Sequence, residues 1–232
     1  MVNILSILFL LFSINSFAQI NFVKVEYGLK IGYDEGFSNS DGLKEYYAKA
    51  QKGAELVNFE LVANKTASYF KMLETIKNDE TDFAISFSEA STSFYTEADS
   101  NNKMSYENDY LGEFRVNYNE KTEWKLENET KYIDTYLCYK ATSYEIVVTP
   151  KRTFKHAIIA WYCPEIPFSY GPKGFNGLPG LILELQVRNI TWGAKKIELS
   201  NEEKSIEKPT KGKLITEEEY KKMLSSPPLF DR

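Results

Sequence analysis

Few residues in this chain are equipped for acid–base, nucleophilic or metal chemistry. Its 232 residues contain one His and two Cys. A Ser–His–acid or Cys–His arrangement would have to use His156, the sole imidazole. That residue stands beside Lys155 in a stretch of strand character, and no Gly-x-Ser-x-Gly elbow presents a serine. It reads as an ordinary exposed strand residue. The carboxylates offer a second chemistry: Glu165 and Glu184 flank a Pro/Gly-rich stretch and could approach each other as a general acid/base pair. Glu184, however, falls on the wet side of its strand, so no catalytic residue is assigned. No spaced Asp/Asn calcium loop occurs, and one His with two Cys is a poor ligand set. No metal and no cofactor are expected.

The two cysteines lack the Cys-x-x-Cys spacing of a redox-active pair. Cys138 and Cys163 are symmetric about Pro150–Lys151, within Thr149-Pro150-Lys151-Arg152, a turn-forming tetrapeptide. Tyr144–Val148 and Phe154–Trp161 on either side are rich in β-branched and aromatic residues. A hairpin folded there sets Cys138 opposite Cys163, at a separation a disulfide can span. The expectation is one bridge; two buried free thiols are the alternative.

The elements that must position these residues follow from patterning. Val23, Val25, Tyr27, Leu29, Ile31 and Tyr33 alternate with polar or small residues, as do Leu181, Leu183, Leu185 and Val187. Phe114, Val116 and Tyr118 repeat the pattern, and Glu55–Val62 and Ala67–Leu73 are further strand candidates. One wet face per strand implies antiparallel pairing. Helix signals are fewer. Thr216-Glu217-Glu218-Glu219 is a capping box with Ile215 and Tyr220 as its staple, giving a helix that ends near Leu224. Asp41–Gln51 is a weaker candidate. Asn78–Asp82 and Glu97–Asn102 read as surface loops, Asn201–Lys213 as a polar linker, and 225–232 as a disordered tail.

Met1–Ala18 has no charged side chain, an apolar centre from Ile4 to Phe12, and small residues at Ser16 and Ala18. It reads as a signal peptide cleaved after Ala18, leaving a single domain over 19–232. The chain is then exported, to the periplasm, the outer-membrane periphery or the exterior. No later run is long and apolar enough to span a membrane. With 28 basic against 33 acidic residues, and basic residues only in isolated pairs, nucleic acid is not an expected partner.

Tyr162–Leu185 (YCPEIPFSYGPKGFNGLPGLILEL) concentrates Pro164, Pro167, Pro172 and Pro179 with Gly171, Gly174, Gly177 and Gly180. Such density specifies a rigid irregular loop, either a crossover plugging the sheet or a ligand-binding rim. Gly177-Leu178-Pro179-Gly180-Leu181-Ile182, with Ala160-Trp161-Tyr162, Pro164-Glu165-Ile166-Pro167, Gly171-Pro172 and Phe175, resembles the signature of the GLPGLI family. Cys138–Thr142 and Trp124–Ile133 resemble the strands before it. The hairpin tip, Tyr144–His156, is longer than the family's usual turn.

The resemblance implies an exported Gram-negative envelope protein, of a family without an established activity. Its strand plan is similar to curled antiparallel sheets of the lipoprotein-carrier type. The expected fold is therefore mainly β (α+β): one curled half-barrel sheet with a short C-terminal helix. The expected function is non-enzymatic binding of a lipid, an apolar or peptidic ligand, or an envelope partner, in the concavity and the 164–182 loop. Candidate contact residues are Trp161, Pro164, Glu165, Phe168, Tyr170, Phe175, Leu178 and Pro179. An accessory subunit docking to an outer-membrane machine and a Glu165/Glu184 hydrolase are the alternatives.

Overall fold

A computed structural model describes residues 19–98, 102–109, 111–119, 121–148 and 152–225. The expected leader, the 149–151 turn and residues 226–232 of the expected tail lie outside the described residues. In chain order the elements are β1 (Phe22–Ile31), α1 (Glu35–Ser38), α2 (Lys44–Gly53), β2 (Asn58–Asn64), β3 (Ala67–Met72) and α3 (Asp79–Ser88). Next come β4 (Ser93–Glu97), β5 (Asn102–Asp109), β6 (Gly112–Asn119), β7 (Lys125–Ile133), β8 (Tyr136–Val148) and β9 (Thr153–Cys163). After the signature loop follow β10 (Leu181–Val187), β11 (Ile190–Ser200), β12 (Lys213–Thr216) and α4 (Glu217–Ser225). The protein is mainly β, as expected, built on one large open sheet ordered β12-β6-β5-β4-β3-β2-β1-β11-β10-β9-β8-β7.

Strand alternation divides the sheet into two faces. Cross-strand rungs run Ala160–Leu185–Trp192–Leu29 on one side and Val25–Leu61–Phe70–Phe94 on the other. These side chains form the inner face, and nearly all of them are buried in one core with α2, α3 and the loop. The outer face is polar near β1, where Glu60 pairs with Lys24 at 2.6 Å and Lys71 at 3.7 Å. The β1 alternation stops at Ile31, and Tyr33 is 69% exposed.

Two segments depart from the sequence expectations. Asn78–Asp82 starts a helix: Asn78 Oδ1 accepts from the Thr81 backbone N–H, and Thr81 Oγ1 accepts from that of Asn78. This capping box closes with Thr in place of Glu or Gln, which hid it. Asn201–Lys213 is no free linker. It crosses the outer face, where Ile206 packs against the Tyr95–Met104 cluster, and Asn64 Nδ2 donates to the Lys204 carbonyl at 2.8 Å. That strap leaves a shallow groove of about 480 Å³ and delivers β12 parallel to β6, the one parallel pairing among the described strands. The Thr216–Glu219 box forms as read, and its helix runs through Ser225.

The hairpin register runs from Tyr139↔Tyr162 to Val148↔Thr153, and extending it by one residue sets Cys138 opposite Cys163. The expected disulfide is nevertheless absent: both cysteines are buried free thiols. The Cys138 Sγ–H donates instead to the Tyr136 carbonyl at 3.6 Å. The neighbouring Cys163 thiol and burial push the Cys138 thiol up. The neighbouring Cys138 thiol, with the backbone of Glu165 and Ile166, holds the Cys163 thiol down. Because the strands already supply the register, oxidised glutathione should join the pair without refolding. The product, two hydrogens lighter by intact mass, should be stabilised by about 3 kcal/mol, raising the thermal midpoint by about 6–12 °C. Thiols that stay reduced until the protein is denatured would contradict this.

Candidate functional site

The signature loop closes onto the sheet through its own backbone. Ile166 N donates to the Cys163 carbonyl (3.2 Å), Leu181 N to that of Ile166 (3.0 Å) and Ile182 N to that of Tyr170 (2.9 Å). The Ile182 carbonyl accepts from the Tyr27 hydroxyl at 2.7 Å, deep in the core, where burial drives the phenol's pKa far up. Gly180 makes this closure possible. Its φ is +153°, and a Cβ there would overlap the Cys163 carbonyl oxygen.

The expected contact residues separate into three groups. Phe168, Tyr170 and Leu178 are at most 3% exposed and belong to the core, as does Ile166. They plug the sheet, because a loop tied to β10 by backbone bonds must direct its large side chains inward. Pro164, Glu165 and Pro179 are exposed along the crest, and Phe175 is half-buried beside Trp124. Trp161 does not face the concavity. Ala160 and Tyr162 take the buried positions, so alternation turns Trp161 outward, where the Lys131 ammonium lies 4.5 Å from its ring centroid. Lys131 also pairs with Glu184 at 2.7 Å. Glu184 is thus engaged on the outer face, while Glu165 is exposed on the loop. His156 lies far along the hairpin, stacked on Phe154 at 5.8 Å.

Beyond the plug, the inner face continues over β4–β6 with a different character. Thr96, Lys103 and Tyr118 form one rung, and Phe94, Ser105 and Val116 the next. Into this end the loop inserts a 3-10 turn, Pro172–Gly174, in which Lys173 adopts φ 54°. Gly174 lies against the Lys103 stem: a Cβ there would be 2.8 Å from Lys103 Cγ. Lys103 Nζ sits 5.2–5.7 Å from the ring centroids of Tyr118, Phe175 and Phe94. Lys173 Nζ sits 5.8 Å from Phe94 and 5.5 Å from Trp192.

Lys173 is only 17% exposed in its side chain and pairs with Glu89 at 2.9 Å, which holds the Glu89 carboxyl below the usual range. Burial raises Tyr118 to about 12, so its phenol stays protonated at neutral pH. The result is two ammonium groups braced by aromatic faces, with a phenol and a carboxylate at hand. That set can hold a peptide carbonyl, or a carboxylate that displaces Glu89 from Lys173, against planar rings. Sequence reading missed Phe94, Lys103 and Trp192. A lysine on an inward strand position runs against the apolar pattern, and only the Tyr118 alternation pointed to this end of the sheet.

A family model described as a protein of unknown function (Porph_ging) matches residues 148–184, which include β9, the loop and the start of β10. No curated protein matches the chain. Two solved structures of PNGF-II, in C2 and P21 space groups, are similar in fold, with TM-scores of 0.54 and 0.53 and 13% and 15% identity. Each alignment covers 88% of this chain but 32% and 33% of the PNGF-II chains, so this chain spans about a third of their length.

Two outcomes follow from the geometry. Gly180→Ala should destabilise the protein by about 3 kcal/mol or more, read from the urea midpoint, since it meets both a disfavoured φ and a backbone oxygen. For Glu89, a folded pKa below the unfolded one gives stability that is present above the ordinary carboxylate range and lost as pH falls through the folded value. Lys173→Met should return the Glu89 carboxyl toward its usual pKa in a carbon-detected titration and abolish that acid-side loss.

Proposed function

We propose that this chain is an exported, non-enzymatic binding protein of the bacterial envelope, of the kind its GLPGLI-type signature suggests. Its ligand is an extended peptide, or a segment of a partner protein, that carries a carboxylate. The observation that carries this reading is the meeting of Lys103, from a strand, and Lys173, from the signature loop, on the shared ring of Phe94. Tyr118 and Phe175 complete a surface that is half-buried rather than sealed. Half-buried cations braced by rings lose little freedom on binding an anion, which favours recognition over flexible surface lysines.

Two other readings have less support. A carrier of acyl chains needs an empty apolar concavity, and here Ile166, Phe168, Tyr170 and Leu178 fill it. A carboxylate hydrolase needs Glu165 and Glu184 together, and Glu184 is bound to Lys131.

The reading is tested by a photo-crosslinking residue placed at Ser169, an exposed position on the same loop, in cells expressing the full chain. An adduct with a peptide or envelope protein is expected, and it should fall at least tenfold in the Lys103→Met/Lys173→Met double variant. An adduct that is absent, or unchanged in the double variant, would refute the reading. Fractionation of the same cells tests the export component: recovery in the cytosol contradicts it.

A further inference from the structure

The far end of the β8–β9 hairpin is a two-stranded ribbon that leaves the sheet. β7 pairs with β8 only as far as Lys125↔Thr142, and β10 pairs with β9 only as far as Val187↔Ile158. Five rungs continue beyond, from Tyr144↔Ala157 to Val148↔Thr153, a projection of about 17 Å. An isolated ribbon is marginal in water, and this one persists as the extension of a large sheet.

Its side chains are unusual for a structural edge. On one face Tyr144 and Ile146 are 55% and 66% exposed, and Lys155 Nζ lies 3.8 Å from the Tyr144 ring centroid. On the other face the Arg152 guanidinium lies 4.2 Å from the Phe154 centroid, and His156 stacks on the same ring. Glu145, the acid among the described ribbon residues, is tied at the ribbon's root to Arg188 at 2.8 Å. A basic, aromatic finger therefore projects from a protein whose overall charge is −5.

From this geometry we infer that the ribbon is a membrane-surface anchor that inserts among anionic phospholipid headgroups. Exposed apolar and aromatic groups enter the interface while adjacent cations meet the phosphates. The two-faced arrangement selects this occupant over an acidic protein. Each face pairs an aromatic ring with a cation, which suits a medium that surrounds the finger; a protein partner would cover one face and leave the other wet. The opposite end of charge, the acidic body, would stay clear of the anionic surface.

The test is flotation of the full chain with vesicles of phosphatidylcholine containing phosphatidylglycerol, and with phosphatidylcholine alone. Binding should require phosphatidylglycerol and weaken with salt. Arg152→Gln/Lys155→Gln should cut affinity more than tenfold, at about fivefold per cation, and Tyr144→Ser/Ile146→Ser should weaken it at unchanged salt dependence. An unchanged circular dichroism melt confirms that both variants fold. Three results would overturn the inference: no vesicle binding, binding indifferent to phosphatidylglycerol, or binding retained in both variants. Capture of polyglutamate without vesicle binding would instead assign the finger to an acidic polypeptide.

Discussion

The architecture rests on one close approach, the passage of Gly180 across the Cys163 carbonyl. If the chain could not cross there, Leu181 and Ile182 would lose their bonds to Ile166 and Tyr170, and the Tyr27 hydroxyl would lose its acceptor. A buried phenol without that acceptor costs more than the bond's net worth, since it keeps the desolvation penalty. The sheet's inner face is therefore covered jointly by the loop, α2 and α3, whose buried side chains join one core. The density of Pro and Gly around the signature has a physical origin: the loop must be both irregular in backbone and fixed in place.

That same constraint decides where a binding surface could form. Because the loop's large residues are spent on the core, what it offers elsewhere is its crest and its 3-10 turn. The turn carries Lys173 over to β4–β6, where the inner face changes from aliphatic to aromatic and charged. The strap from Asn201 to β12 holds those strands from the other side, so the Lys103 rung is supported on both faces. The proposed binding surface and the fold thus share parts. The hairpin ribbon is separate from both, since it takes its order only from the register it inherits from the sheet.

Much of this was legible in the residues. Period-two alternation located β1, β6 and β10, and the symmetry of Cys138 and Cys163 about Pro150–Lys151 set the hairpin register rung for rung. The Thr216 capping box located α4. What escaped has identifiable causes. The α3 start used Thr at its third position, and β12 is a four-residue parallel strand with a single buried residue, Ile215. Parity was available for Trp161, but its place beside the signature motif outweighed its place between Ala160 and Tyr162. Lys103 gave no local sign, because its environment is assembled from β4, β6 and the loop, segments distant in sequence.

The signature loop is core rather than a lid over an empty concavity. Native-state hydrogen exchange at the amides of Ile166, Leu181 and Ile182 tests it most directly. These amides should exchange only through global unfolding, with opening free energies equal to that of the β1 amides and the same dependence on urea. Exchange of the loop amides through a separate, low-energy opening, while β1 stays protected, would contradict the account.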